Sequence, residues 1–291
     1  MTVREAVDAA RDTLSTGGLD AVDAAIDARV LAGEAFGLDR AALIVRGDEQ
    51  AGPAALARLD AFVSRRLRRE PVAYILGRRE FYGREFVVSP AVLVPRPEPE
   101  IIIDAAIGRF ARDTAFDVLD VGTGSGCLAV TLALEFPRAR VWATDVSAAA
   151  LGVARENARR HDVSGRVTFR QASLTAGAGP VELLVSNPPY VPNPLRRSLP
   201  PEVGEHEPPV ALFGGPDGLD VIRALIAEAA RALTRPGASA GAPSGGWLLL
   251  ECGIGQADEI QRLLDATGCF DAIHALADLR GIPRTIAARR R

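Results

Sequence analysis

From Phe116 onward, short runs of β-branched and aliphatic residues alternate with stretches of helical periodicity, and no other feature of the 291-residue chain limits its fold so tightly. Val118–Val121, Arg140–Thr144, Val167–Arg170 and Glu182–Ser186 read as strands, separated by helices that end near Glu135 and His161. Strands that alternate with helices pair in parallel, and helices cover both faces of the resulting sheet. A proline-rich loop leads to helix Val221–Leu233, strand Trp247–Glu251, helix Gln256–Ala266 and two short strands near Ala272–Ala275 and Thr285–Ala288. The expected fold class is α/β, with a Rossmann-like sheet of seven strands.

The chain before Phe116 is organised differently. Apolar residues recur at three-to-four spacing from Val3 to about Arg69, as in Leu56, Leu59, Phe62, Val63 and Leu67, which predicts a small helical amino-terminal domain. Around Arg79–Val88, Glu80-Phe81-Tyr82 and Glu85-Phe86-Val87-Val88 flank Gly83 and predict a hairpin joining the two domains. Pro90, Pro95, Pro97 and Pro99 then impose an extended link before a helix over Ile101–Phe110. The predicted division is residues 1–76, a hairpin and linker over 77–95, and the α/β domain over 96–291. Pro236–Gly246, rich in Gly, Ala, Ser and Pro, reads as a flexible surface loop.

Composition closes off several chemistries. No lysine occurs, which excludes a Walker-type phosphate lysine, a Schiff-base lysine and a lysine general base. A formal net charge of -3 provides no global field for a nucleic-acid backbone, and the arginines at 65, 66, 68 and 69 read as a solvated helix face. Cys127, Cys252 and Cys269 are too widely spaced for a metal site, so no metal is expected and they read as buried thiols in a reducing compartment. His161, His206 and His274 receive no role. The longest apolar runs fall far short of the ~20 residues a bilayer span needs, and the protein is expected to be cytoplasmic, off the membrane and monomeric.

Two segments carry chemistry. Asp117–Val121 runs directly into Gly122-Thr123-Gly124-Ser125-Gly126, a buried strand ending in a glycine turn that opens a helix. Glycines there let a ligand approach the backbone, and the helix start offers free N–H groups. The dinucleotide fingerprint fails, because Cys127 stands where its last glycine belongs. Asp145, ending the next strand, is placed to accept hydrogen bonds from the ribose hydroxyls of an adenosyl group or of NAD, with helix capping as the plainer alternative. Asp120 either fixes the glycine loop or touches the ligand.

The second segment is Asn187-Pro188-Pro189-Tyr190, directly after Leu183-Leu184-Val185-Ser186 and therefore at the carboxyl end of a strand, where open α/β sheets bind ligands. A planar amide or aryl amine has a delocalised lone pair and attacks a methyl sulfonium slowly unless its hydrogens are held. Asn187 can accept one N–H through its side-chain oxygen, Pro188 can present its carbonyl to a second, and Tyr190 can form an aromatic wall. A proline-rich turn capped by asparagine is the competing interpretation.

Taken together, the chain resembles the release factor glutamine methyltransferases over nearly its full length. The likeness rests on Glu70-Pro71-Val72-Ala73-Tyr74-Ile75-Leu76-Gly77, Phe81-Tyr82-Gly83, Val94-Pro95-Arg96-Pro97-Glu98-Pro99-Glu100, Gly122–Gly126 and Asn187–Tyr190. It continues through Glu207–Gly215 with Asp217-Gly218, and Leu248-Leu249-Leu250-Glu251. The resemblance implies a class I methyltransferase fold and S-adenosyl-L-methionine as cofactor, held by Gly122, Thr123, Gly124, Ser125, Gly126, Asp145, Ser173, Leu174 and Asn187. It implies as substrate the glutamine of the Gly-Gly-Gln loop of peptide chain release factors, held by Asn187, Pro188, Pro189 and Tyr190, with Asn187, Pro188 and Tyr190 catalytic. The helical domain would then dock the substrate, and Arg96 and Glu98 would support the site. Pro99 stands where the family usually has Thr, and Ser173 where an acid usually follows the third strand, so adenine contacts are expected either to be weaker or to rest on backbone groups.

Two other functions fit parts of this pattern. A methyltransferase for an exocyclic amine of a nucleic-acid base would use the same Asn-Pro-Pro-aromatic logic, though net acidity opposes it. A non-catalytic docking module for a translation factor would not need an intact glycine turn, Asp145 and Asn187.

Overall fold

In a computed structural model the protein is described over residues 1–175, 178–238 and 244–291, so the loop expected over Pro236–Gly246 lies partly outside the described residues. The chain divides into two compact units, Met1–Gly77 with Pro200–His206, and Arg78–Leu199 with Glu207–Arg291.

The first unit is helical: α1 (Val3–Thr16), α2 (Ala21–Phe36), α3 (Arg40–Val45), α4 (Pro53–Leu67) and α5 (Val72–Leu76), with a further short helix from the returning segment, Pro201–Gly204. Thr2 and Glu5 form a reciprocal capping box at the start of α1, worth about 1 kcal/mol. Its core is built largely from small residues, Ala6, Ala10, Ala24, Ala28, Ala32 and Ala35, closed by Leu14, Leu31, Leu59 and Val63. One expectation fails in this unit. Arg66 is not on a solvated face; it is 6% exposed, and its guanidinium holds Asp27 at 2.7 Å and Glu202 at 2.9 Å. A buried guanidinium needs such partners, and one of them arrives from residue 202, beyond the reach of local periodicity.

The second unit opens with a hairpin, β1 (Arg78–Phe81) and β2 (Arg84–Val87), whose turn residues Tyr82 and Gly83 both have positive φ. Phe81 and Phe86 point into the core, so the hairpin packs within this unit. Helix α6 (Glu100–Ile107) follows, and then the alternation read from the sequence: β3 (Asp117–Val121), α7 (Cys127–Glu135), β4 (Arg140–Asp145), α8 (Ala148–Arg160), β5 (Val167–Gln171) and β6 (Leu183–Ser186). A 3₁₀ turn (Asn193–Ser198) and a one-turn helix (Pro209–Leu212) lead to α9 (Asp220–Ala232), β7 (Trp247–Glu251), α10 (Ala257–Ala266), β8 (Phe270–Ala277) and β9 (Pro283–Arg290).

The seven strands form one sheet in the order β5-β4-β3-β6-β7-β9-β8. The first five pair in parallel, whereas β9 runs antiparallel to β7 and to β8. The last two strands are eight residues each, longer than predicted, because a tight turn rather than a crossover helix joins them and lets the pairing extend. Successive residues of β3 serve opposite faces: Val118 packs with α6, α7 and α8, while Leu119 and Val121 pack with α9 and α10. Burial on both faces explains why the strands read as continuous apolar runs.

Candidate active site

The strand order reverses between β3 and β6, and that is where the site forms. Val121 is level with Thr144 on one side and Ser186 on the other. The next residues, Gly122, Asp145 and Asn187, therefore leave three adjacent strands at the same height. The outer two strands lie roughly 10 Å apart at standard sheet spacing. A cavity of about 400 Å³ opens above these ends, a volume typical of small-molecule sites. Its wall includes Gly122, Thr123, Gly124, Ser125, Asp145, Ser173, Leu174, Asn187, Pro188 and Pro189, with Arg96 and Pro99 from the segment before α6.

Two of the predicted site residues stand behind the wall. Gly126 does not line the cavity; a Cβ there would lie 3.0 Å from Ala154 Cβ, so this glycine allows α7 and α8 to meet. Tyr190 is also absent from the wall, and its hydroxyl donates to Glu251 Oε1 at 3.2 Å.

The glycine turn is largely self-satisfied. The N–H groups of Gly122 and Thr123 donate to the Thr144 carbonyl, Gly126 N–H donates to Thr123 O, and Gly124 N–H donates to Asp145 Oδ2 at 2.9 Å. The expected array of free donors is thus mostly consumed, because the positive φ at Gly122 and Gly124 folds the turn back on its own strand ends. What the turn offers is a fixed, Cβ-free surface. Asp145 also takes the Ser147 N–H on Oδ1, and Ser147 itself caps α8.

Asp120 settles its alternatives in favour of the loop. It is 0% exposed, and its Oδ2 accepts from Thr123 Oγ1 at 2.7 Å and Ala129 N at 3.2 Å. Burial pushes its carboxyl up to about 7, while those two hydrogen bonds pull the other way. The unfolded chain releases this proton near 3.8 and the folded chain keeps it until about 7, so stability falls as pH rises between those values and levels off above them. Asp120→Asn removes that slope. Denaturant midpoints measured across this range should shift in favour of the variant, relative to the parent, until about pH 7 and then run parallel. A difference independent of pH would contradict the assignment.

The acceptor side of the cavity is held by contacts that the sequence did not disclose. Val191 N–H donates to Leu212 O, and Gly214 N–H donates back to Val191 O. Gln256 gives its amide to Tyr190 O at 3.0 Å and takes the Gly253 N–H at 2.9 Å. A Cβ on Gly214 would stand 2.4 Å from Pro189 O, and one on Gly218 would stand 2.1 Å from Tyr190 O. Gly214 and Gly218 are thus required by the close approach of the Asn-Pro-Pro-Tyr backbone. Among the described residues, no donor or acceptor pairs with the Asn187 side chain and no donor reaches the Pro188 carbonyl, whereas neighbouring Ser186 Oγ is tied to Val121 O at 2.7 Å.

Other contacts stabilise the site from outside. Arg96 pairs with the buried Glu207 at 2.6 Å, and Arg284 pairs with Glu98 at 3.0 Å. Asn157, wholly buried on α8, accepts Val87 N–H at 2.7 Å and donates to the carbonyls of Val87 at 3.0 Å and Ser125 at 2.8 Å. Cys252 is buried, but Cys127 and Cys269 are partly exposed, against the expectation of three buried thiols. The histidine rings contact backbone carbonyls, His161 at Glu85, His206 at Arg68 and His274 at Ala272. Among the described residues, no helix is long and apolar enough to cross a membrane.

Fold and cavity together define a methyltransferase with a Rossmann-like sheet, and comparison with known proteins agrees. Residues 106–195 match the methyltransferase small domain, and residues 5–77 match the PrmC N-terminal domain. The release factor glutamine methyltransferase of Geobacter sulfurreducens is 42% identical over 99% of this chain and 96% of its own. That of Moorella thermoacetica is 40% identical over 100% and 99%. The chain belongs to the release factor glutamine methyltransferase family. Among solved structures, the hMettl16 catalytic domain in complex with MAT2A 3'UTR hairpin 1 is similar in fold, with TM-score 0.57 at 13% identity over 89% of this chain and 90% of that one.

Proposed function

We propose that this enzyme methylates the side-chain nitrogen of the glutamine in the Gly-Gly-Gln loop of peptide chain release factors, using S-adenosylmethionine, in the cytoplasm. The observation that carries the proposal is the pair of acceptors at the end of β6. Asn187 and Pro188 line the same cavity as the glycine turn, and neither the Asn187 side chain nor the Pro188 carbonyl has a partner among the described residues.

The cavity suits the cofactor. A phosphate-bearing ligand needs several free N–H groups at a helix start, and this turn has spent most of its own. An adenosyl sulfonium carries no phosphate. Gly122, Thr123, Gly124 and Ser125 would form its bed, with Gly126 seating the turn, and the remaining lone pairs of Asp145 would accept its ribose hydroxyls. Ser173, Leu174 and Val146 would flank the adenine; Leu174 has φ 50° and gives its carbonyl to Thr144 Oγ1, which leaves a largely apolar face there. When bound, the cofactor supplies a methyl group on a positively charged sulfur.

Asn187 Oδ1 and Pro188 O then accept the two N–H bonds of the glutamine amide and turn its nitrogen lone pair toward the methyl group. Pro189 completes the wall, and Tyr190 holds the segment from behind. Transfer of the methyl group to the amide nitrogen would leave that nitrogen one proton to lose, which water would carry away. The helical unit is proposed to dock the body of the release factor.

Incubation of the protein with a release factor and methyl donor, followed by mass spectrometry of its peptides, should show one added methyl group on that single glutamine. Label appearing in nucleic acid and not in the release factor would establish the base-methylating alternative instead.

A further inference from the structure

Of the four side chains in Asn187–Tyr190, only that of Tyr190 has a hydrogen bond among the described residues, and its partner lies outside the cavity. Glu251 ends β7, is 1% exposed, and accepts the Tyr190 hydroxyl on Oε1 at 3.2 Å. Its Oε2 has no partner among the described residues. An apolar residue of similar volume would cost less at such a position, because a buried carboxyl with one oxygen unmatched carries a desolvation penalty. Stability alone does not explain a glutamate here.

The surroundings show what it faces. Arg284 approaches from β9, and Glu98 and Arg96 from the segment before α6; Arg284 is bound to Glu98 at 3.0 Å, and Arg96 to Glu207 at 2.6 Å. Each arginine is hydrogen-bonded to another carboxylate, and among the described residues the Tyr190 hydroxyl is the group bonded to the Glu251 carboxyl. The backbone of the acceptor segment is clamped downstream, at Tyr190 O by Gln256 and at Val191 by Leu212 and Gly214. Tyr190 is thus fixed at its carbonyl, at its ring, which packs on the core behind the sheet, and at its hydroxyl, next to the residues proposed to hold the amide.

We propose that Glu251 is a positioning residue for methyl transfer, acting through the Tyr190 hydroxyl to set the angle at which Asn187 and Pro188 present the acceptor amide. The inference rests on the roles given above to Asn187 and Pro188. A displacement of about 1 Å in such a holder costs on the order of a hundredfold in rate, so even partial release of Tyr190 is expected to be visible in turnover. Burial pushes the Glu251 carboxyl up to about 8, so at neutral pH it is mainly the uncharged acid, and glutamine is its natural mimic.

The test is a double-mutant cycle on the full chain, assayed on a release factor with cofactor affinity and thermal midpoint measured in parallel. Tyr190→Phe and Glu251→Ala should each lower kcat about tenfold or more, with KM for the cofactor and its Kd nearly unchanged. The double variant should be no worse than the poorer single one, because both remove the same contact. Glu251→Gln should recover most of the activity lost in Glu251→Ala. Losses that multiply in the double variant, or wild-type kcat in Tyr190→Phe, would overturn the proposal. Should Glu251→Ala not fold, Tyr190→Phe and Glu251→Gln still decide it: kcat must fall in the first and survive in the second. A parent protein that leaves the release factor unmodified while binding cofactor would reject the proposed function itself, a result distinct from any outcome of the cycle.

Discussion

Replacing Asn187 with alanine should reduce turnover by on the order of a hundredfold or more while cofactor affinity changes little. The side chain lies on the cavity wall, and among the described residues no protein group bonds to it, so its removal leaves no orphaned partner and opens no void in a core. What disappears is one of the two acceptors proposed for the amide hydrogens. With Pro188 O alone, the NH2 group can rotate about a single hydrogen bond, and the lone pair spends most of its time in conjugation with the carbonyl. The cost should therefore fall on kcat, since the interaction matters most when the nitrogen leaves planarity. Turnover and cofactor Kd measured on the same preparation check this. Full turnover in the alanine variant would end the case for amide positioning by this residue.

A comparable loss is expected from a glycine that touches no ligand. Gly214→Ala would place a Cβ 2.4 Å from both Pro189 O and Gly218 O, distances no real Cβ tolerates, and both obstacles are backbone. Gly214 is not among the positive-φ glycines, so the added methyl is objectionable only for the space it takes. Relief requires the Asn-Pro-Pro-Tyr segment to move away. Overpacking of this kind costs about 1–3 kcal/mol of stability, and a shift near 1 Å at the acceptor should cost on the order of a hundredfold in kcat. No residue of the glycine turn is among the atoms this Cβ would strike, so cofactor affinity should change far less than kcat. An alanine variant with unchanged kcat would show that the segment adjusts without disturbing the acceptors.

These two residues mark the boundary between what the sequence discloses and what only packing reveals. Asn187 was legible because its signal is local: a polar residue and two prolines at the end of an apolar run can hardly be anything but a strand-end loop. Gly122 and Asp145 were legible for the same reason, each closing a β-branched strand. The alternation of strands and helices after Phe116 needed no more than periodicity. Gly214 carried a signal as part of Ala-Leu-Phe-Gly-Gly, yet its reason, the passage of Pro189 O, depends on two chain segments meeting.

The contacts of Gln256, Glu251 and Arg66 were hidden on the same account. Each is a single polar residue whose partner lies far along the chain, Tyr190 for the first two, Asp27 and Glu202 for the third. Glu251 was named only within Leu248-Leu249-Leu250-Glu251, one of the stretches that carry the family resemblance. The expectation of a solvated arginine face failed because a charge run looks the same whether or not one member turns inward. The self-satisfied glycine turn was hidden too, since composition shows that a turn is possible but not where its N–H groups go.

Asn157 deserves a last thought for what it joins. Its one amide group spans residues numbered 87, 125 and 157, so the ribbon Arg78–Val87 and the turn beneath the cavity share a single buried latch. Whatever steadies Ser125 also steadies Val87, and fraying of the ribbon loosens the floor on which a nucleoside would rest. Occupancy of the pocket should thereby be felt in the ribbon, which does not itself line the cavity.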